Sequence, residues 1–400
     1  MRSYRVDLHV HIGRNSRGEQ VKVTGARDLT LENIARRART SAGLEIVGII
    51  DCASPRVIRD ILELLDSGHM TELEGGGLWY SSPEGGGSTV IAGVELEAEL
   101  PGGCTAHYLC YLPTVAAVRE FSREVAKHMT NVHLSTQRVH LSPRDLASLA
   151  HSLHGLFVPA HVFTPHKGVI GGCVPRLAQA MGSDGLDLVD GVELGLSADT
   201  YMADTIAELS RYTFLSNSDA HSLPRLGREF NVITAEAPSF NELAMALRRQ
   251  EGRRVTANYG LDPKLGKYHL TGCDSCGARF SLPPDAARVC PACSSTRIVV
   301  GVADRLAAIA DSPTPHSPPH RPKYHYQVPL QFIPGLGPAR IAVLVKAFGS
   351  ELSALHDAPE PELAAVVGER IAGLIMQARS GMLQLDAGGG GQYGRVSLED

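Results

Sequence analysis

Four hundred residues, 43% apolar and 20% charged, suffice for a large core and two to three domains, and read as an ordinary soluble globular protein. Forty-three acidic against thirty-eight basic residues leave a net charge of −5, which does not advertise a nucleic-acid binder; residues 258–400 hold thirteen of each sign, so the whole deficit lies in residues 1–257. The start lacks a signal pattern and no run reaches about 18 apolar residues, so the chain is expected to be cytoplasmic with no membrane partner, where eight cysteines point to metal binding before disulfides.

The first predicted element is a short strand through Tyr4-Arg5-Val6-Asp7-Leu8-His9-Val10-His11, whose period of two puts Asp7, His9 and His11 on one face. Thr30 is a plausible N-cap for a helix through about Ala42. The apolar run Leu44 to Ile50 has strand length and ends in Asp51, and a helix from Val57 to about Asp66 follows. Six glycines between Gly75 and Gly87 predict a flexible surface loop. Val90 to Val94 is a strand ending in Glu95, and His107 to Leu112 is another, followed by helices near 114–128 and 143–153. Leu156 to Ala160 leads into His161, Leu188 to Val192 into Glu193, and Thr213 to Ser218 into Asp219 and His221.

Strand after strand thus ends in a carboxylate or an imidazole, with helices between several of them. In barrels of alternating strands and helices the active site is built at the C-terminal strand ends. Asp51, Glu95, His161, Asp219 and His221 all stand at such ends, and with the His9/His11 pair they predict one shared metal site.

These residues resemble the polymerase and histidinol phosphatase (PHP) family over roughly residues 4–235. His9-x-His11 matches its first motif, Glu95 and His107 its middle ligands, His161 in Pro159-Ala160-His161 a later one, and Asp219-x-His221 its last. The resemblance implies an α/β fold, a distorted (β/α)7 barrel, with two to three divalent metal ions (zinc, manganese or magnesium) that hydrolyse phosphoesters. The second motif departs from the family: Ile50-Asp51-Cys52 stands where Thr-Asp-His is usual, leaving Asp51 or Cys52 to replace the missing imidazole. Cys52 reads as a buried structural thiol, and Asp7 as a residue that orients a histidine. Mixed His/Asp/Glu sets suit zinc, manganese or iron better than calcium, and clustered metals activate water and clamp phosphate oxygens. Glu95 and Asp219 are the candidates for bridging or water-orienting carboxylates, and hence for the catalytic pair.

The last third reads as a second module. Cys273-x-x-Cys276 and Cys290-x-x-Cys293, thirteen residues apart, have the spacing of a tetrahedral zinc ribbon holding one structural zinc. Cys104, Cys110 and Cys173 follow no such pattern and are expected to be core or incidental. Asp311 to Pro322, with five prolines and two histidines, reads as an irregular linker. Ile333-Pro334-Gly335-Leu336-Gly337-Pro338 opens an apolar-periodic helix, where Gly335 and Gly337 let backbone N–H groups converge on an anion. It resembles a helix-hairpin-helix element, which grips a DNA phosphate without reading bases. A poorer copy at Val366 to Ala372 carries Glu369, ill-suited to a phosphate, and reads as structural. The expected domains are a phosphoesterase barrel over 1–257, a zinc ribbon over 258–303, a Pro-rich linker over 304–325, a small α-helical hairpin region over 326–386 and a flexible tail over 387–400.

That order resembles the endonuclease Q family over nearly the whole chain, supported by Pro159-Ala160-His161-Val162-Phe163-Thr164-Pro165, by Glu193 to Asp199 and by Asn217-Ser218-Asp219-Ala220-His221-Ser222. The resemblance implies a DNA repair endonuclease that cuts 5′ to a deaminated base (uracil, hypoxanthine or xanthine) or an abasic site, leaving a 3′-hydroxyl and a 5′-phosphate. DNA carrying such lesions is the expected partner, with repair or replication proteins as further candidates. Gln137 and Arg138 are candidates for the lesion pocket, and Lys167 and Arg225 for phosphate contacts. The competing readings are a small-molecule phosphoesterase of the histidinol-phosphate phosphatase type, which gives the second module no task, and an inactive DNA-binding scaffold.

Overall fold

The computed structural model describes residues 1–397. Seven strands close a ring: β1 (Arg2–Val10), β2 (Ile46–Ile49), β3 (Gly87–Glu99), β4 (Thr105–Leu112), β5 (Leu156–Pro159), β6 (Val192–Glu193) and β7 (Phe214–Leu215). β1 pairs parallel with β2, β2 parallel with β3, β3 antiparallel with β4, and β4 antiparallel with β5. Val162 N donates to Glu193 O (2.9 Å), β6 and β7 pair in parallel, and Ala220 N to His9 O (3.1 Å) with His11 N to Ala220 O (3.0 Å) returns the ring to β1. Gly48 allows the β1–β2 approach, since a Cβ there would lie 2.4 Å from Leu8 O.

Alternation along the strands divides the core in two. Leu8, Ile91, Leu109, Tyr111, Val158 and Leu215, drawn from five of the ring strands, belong to one buried cluster that fills the ring. Their neighbours Val90, Tyr108, Cys110 and Phe157 belong to a second cluster, packed with Val57, Ile61, Phe121 and Leu146 of the surrounding helices. Glu95 shares the parity of Ile91, and His107 that of Leu109, so both point inward at one mouth. Because β4 runs antiparallel to β3, that mouth meets the beginning of β4, which is why His107 sits near a strand start.

The predicted helix after Thr30 forms as Leu31–Arg37, with Thr30 accepting from Asn33 N, and continues as a π-turn over Ala38–Ala42. The helix predicted from Val57 begins two residues earlier, at Pro55. The glycine-rich segment 75–87 is no free loop: Met70–Glu72 and Leu78–Ser81 form a hairpin that joins β3, with Tyr80 fully buried. Glycine density marked the turns and hid the strand between them.

Outside the ring, β8 (Phe230–Ala235) pairs with β1, β9 (Arg254–Leu261) with β8, and β10 (Lys323–Gln327) with β9. The segment expected as an irregular linker, 304–325, therefore begins in a helix (Val302–Ile309) and ends on the barrel sheet. Between them Arg321, 2% exposed, pairs with Asp204 at 2.9 Å over the Phe214 ring. Strands Thr271–Cys273, Arg279–Phe280 and Ile298–Val299 form the ribbon, and helices Pro338–Phe348, Glu351–His356, Glu360–Val367 and Glu369–Ser380 enclose their own apolar cluster. That helical region docks on the barrel through Arg37–Glu351 (2.5 Å) and Arg5–Asp357 (2.8 Å).

The tail expected to be flexible is ordered through residue 397: Leu385–Asp386 pairs with Arg395–Val396, and Gly388 N donates to Lys264 O (2.7 Å). Residues 398–400 of that expectation lie outside the described residues. Cys104 and Cys173, expected to be core or incidental, form a disulfide that ties the start of β4 to the segment after Lys167. Sixty-nine residues separate them, so no local spacing signalled the pair. Among the described residues no helix is long and apolar enough to cross a membrane.

Candidate active site

The side chains at the mouth form two groups of ligand atoms, each within 4.8 Å of one another: His9, His11 and Asp219, and Glu95, His107 and His161. Glu95 stands between them. Its Oε1 lies 3.5 Å from His9 Nε2, 3.0 Å from His107 Nδ1 and 3.5 Å from His161 Nε2, while Oε2 lies 3.6 Å from His11 Nε2. Asp219 Oδ1 is 3.6 Å from His9 Nε2, 3.5 Å from His11 Nε2 and 3.5 Å from His221 Nδ1. His161 and Asp219 adopt φ of +30° and +45°, the left-handed region that non-glycine residues enter at a cost of about 1–3 kcal/mol.

Burial sets the electrostatics. It works against the charged form of Glu95, but His107 and Lys22 outweigh it and hold the carboxyl well below its ordinary range. Asp219 is likewise held well below by His11, His9 and His221. Burial would lower His9, yet Glu193, Glu95 and Asp219 raise it well above the usual imidazole value. His9 Nε2 is buried without a hydrogen-bond partner, and His161 Nδ1 likewise. Carboxylates crowded at this depth, facing an unpartnered imidazole nitrogen, are the donor set of a divalent cation site, and the residues fit such ions.

Asp51, predicted as a metal ligand, stands behind His11. His11 Nδ1 lies 3.2 Å from Asp51 Oδ1, Ile12 N donates to Oδ2 at 2.6 Å, and Ser135 Oγ donates to Oδ1. It thus orients an imidazole, the role expected of Asp7. Asp7 instead receives the backbone N–H groups of Ser218 (3.0 Å) and Gly227 (3.0 Å), and burial raises its carboxyl. Cys52 donates to Ile49 O (3.1 Å), and burial pushes its thiol up to about 12, so it stays protonated. A strand end fixes where a carboxylate stands and leaves open whether it faces a metal or a neighbouring imidazole.

Sequence reasoning gave Glu193 no role and missed Lys22. Glu193, fully buried, takes His9 Nδ1 at 2.9 Å, and the strand-end pattern had reached it. Lys22 Nζ lies 3.3 Å from Glu95 Oε2 and donates to Thr136, whose hydroxyl donates to Glu95 at 2.6 Å. Lys22 sits in an irregular segment and carried no signal. A cavity of about 280 Å³ opens over these side chains, walled also by Thr164, His166, Ser197, Asn217 and, from the start of the ribbon, Lys267 and Tyr268. Lys167 lines it, held by Glu97 (2.8 Å) and Thr105 (2.7 Å). Gln137 and Arg138 do not line it: Gln137 donates to Ser135 O (3.2 Å), and Arg138 pairs outward with Glu97 (3.0 Å). Arg225 is exposed away from the cavity wall, 6.0 Å from the Tyr393 ring.

The four sulfurs of Cys273, Cys276, Cys290 and Cys293 converge, with Sγ–Sγ distances of 3.7 Å (Cys273–Cys293) and 3.6 Å (Cys276–Cys290), a separation that fits one tetrahedral ion. Gly335, at φ +91°, and Gly337 are exposed ahead of the Pro338 helix. The guanidinium groups of Arg340 and Arg370 flank that turn, each 3.5 Å from where a Gly335 Cβ would lie.

No protein-family model matches the chain. The uncharacterized protein YqxK of Bacillus subtilis (strain 168) is 44% identical over 399 residues, covering 99% of this chain and all of that one. The lesion-specific endonuclease PfuEndoQ from Pyrococcus furiosus superposes with a TM-score of 0.83 at 32% identity, covering 100% of this chain and 96% of that chain. A structure of endonuclease Q in complex with a 27-mer duplex substrate, with an abasic lesion at the active site, superposes with a TM-score of 0.85 at 32% identity, covering 100% and 97%. The likeness spans barrel, ribbon and helical region together, and the chain belongs to the endonuclease Q family of metal-dependent nucleases.

Proposed function

We propose that this protein hydrolyses the DNA phosphodiester on the 5′ side of a deaminated base (uracil, hypoxanthine or xanthine) or an abasic site. The observation that carries the reading is Glu95, placed between two groups of metal-ligating side chains at the floor of a cavity. Support for the substrate comes from the whole-chain likeness to an endonuclease solved on an abasic duplex.

In this reading His9, His11 and Asp219 would hold one divalent ion and Glu95, His107 and His161 a second, with His221 and the second oxygen of Glu95 close to the first group. Zinc, manganese or magnesium bound there would supply an acidified water near neutral pH and positive charge for the phosphate oxygens. Glu193 and Asp51 fix the rings of His9 and His11 so that each Nε2 faces the site. Lys22 adds a cation where the acidic barrel meets a polyanion. A damaged or missing base unstacks cheaply, and an extruded nucleotide needs a cavity of this kind, walled by the donors of Thr164, Ser197, Asn217 and Lys267. The Gly335–Gly337 turn and its two arginines grip undamaged backbone away from the cut.

Duplexes carrying one uracil, one hypoxanthine or one abasic site, incubated with protein and manganese or magnesium, test the reading. A single nick 5′ to the lesion, with a 3′-hydroxyl and a 5′-phosphate, is expected, and Asp219→Asn should abolish it. Binding without cleavage would indicate a scaffold, and cleavage of a phosphomonoester but not the duplex a phosphatase.

A further inference from the structure

Arg228 is 5% exposed, yet its guanidinium forms no ion pair among the described residues. Its donors go to backbone and to one hydroxyl: Nε to Ser218 O (2.7 Å), Nη2 to Asp219 O (3.3 Å) and Nη1 to Tyr393 Oη (3.1 Å). Two of the three bonds therefore hold the stretch that presents Asp219, at the residue whose φ of +45° must be kept by its surroundings. Asp7 grips the same stretch from the other side through Ser218 N (3.0 Å).

Tyr393, the third partner, comes from the far end of the chain. Its hairpin is tied to the ribbon by Arg279, which donates to Ala387 O (2.8 Å) and Gln392 Oε1 (2.9 Å). Its ring meets Phe332, at the front of the helical region, edge-on at 6.2 Å, and lies 5.8 Å from the Arg228 guanidinium. Tyr393 thus meets the helical region directly, on a hairpin that is itself tied to the ribbon, while bonding the side chain that clamps a site carboxylate. A buried charge spent on two carbonyls is costly unless their position matters.

We propose that Arg228 is a positioning residue for Asp219 and that Tyr393 sets it, so that the seating of ribbon and helical region on the barrel adjusts the metal site. The inference rests on Asp219 being a metal ligand, as in the proposed function.

The test uses the full-length protein and its Arg228→Lys, Tyr393→Phe and Asp219→Asn variants. Four quantities are read: kcat and KM on a duplex with one abasic site, Mn2+ affinity against a competing chelator, affinity for undamaged duplex, and Tm. Tyr393→Phe removes one hydroxyl and keeps the ring, so it tests the relay even where Arg228→Lys fails to fold. The expected result is a kcat lowered about 10-fold and Mn2+ affinity weakened by a similar factor in both variants, with KM and undamaged-duplex affinity unchanged. Wild-type kcat and Mn2+ affinity in Tyr393→Phe and Arg228→Lys would overturn the relay, as would a lowered Tm alone. Asp219→Asn separates the two layers: if it binds Mn2+ like the wild type the ligand assignment itself fails, and if it loses metal while the other two keep it only the relay fails.

Discussion

Glu193 holds the Nδ1 of His9 at 2.9 Å with both residues fully buried, which leaves the opposite ring nitrogen aimed at Glu95 and Asp219. A carboxylate in that position fixes the tautomer and makes Nε2 the better ligand. Glu193→Gln keeps the shape and removes the charge. It is expected to weaken divalent-metal affinity about 10- to 100-fold and to lower cleavage at limiting metal, with rate largely restored at high metal concentration. A metal titration of activity alongside direct Mn2+ binding checks this, and unchanged affinity would leave Glu193 a packing residue.

The four-cysteine site makes a separable prediction. Between residues 271 and 299 the ribbon buries only Thr271, Gly272, Cys273, Leu282 and Cys290, so the bound ion is expected to supply most of that module's stability. Cys276→Ser should lower zinc content by one ion per chain. It should also expose the ribbon to protease while His9, His11 and Glu95 still bind Mn2+. Loss of Mn2+ binding in the same variant would show that ribbon and barrel do not fold independently.

Much of the site was legible because its residues stand where alternation and strand ends put them. Glu95, His107, His161, Asp219 and His221 were reached from pattern or resemblance, and the paired cysteine spacing of the ribbon is local. What stayed hidden depends on contacts far apart in sequence. Asp51 stands just past the end of β2 and Asp7 shares the face of His9 and His11 on β1, so pattern alone makes either a neighbour of the site. Only the position of the Ser135 loop and the approach of residues 218–227 decide that one meets an imidazole and the other two backbone N–H groups. Lys22 reaches Glu95 from an irregular segment, and Cys104 meets Cys173 across 69 residues. The tail looked disordered by composition because its glycines allow the close approaches at Gly272 and Gly390 that pack it on the ribbon.

The docking of the helical region should depend on pH through His356. Its Nε2 bonds Gln327 Oε1 at 2.7 Å, and its ring lies edge-on to Tyr259 at 4.9 Å. Burial, with Arg5 adding to it, pushes the imidazole down to about 4. The folded value is below the unfolded one of about 6.5, so the unfolded chain binds more protons between them. The contribution is therefore complete above about pH 6.5 and is lost as pH falls towards 4. Across that window it amounts to about 2–3 kcal/mol at most. Denaturant unfolding at pH 7.5 and 4.5 measures it. His356→Gln should flatten the difference, and an equally steep loss in that variant would assign it to other groups.

Arg340 and Arg370 meet at the Gly335 turn from two different helices, so the second, Glu369-bearing copy of the hairpin, expected to be structural, brings a guanidinium to the turn of the first. Arg340 also donates to Gly335 O (2.8 Å), holding the exposed turn. A phosphate seated there would release counterions and carry no base information. Each of Arg340→Ala and Arg370→Ala is expected to weaken binding of undamaged and lesion-bearing duplexes by the same factor, and to reduce the slope of log affinity against log salt by about 1. At saturating DNA the cleavage rate should be that of the wild type if, as proposed, the turn acts on seating and the chemistry takes place around Glu95. A variant that loses affinity only for damaged duplex, or cleaves slowly when saturated, would place these arginines in lesion recognition instead.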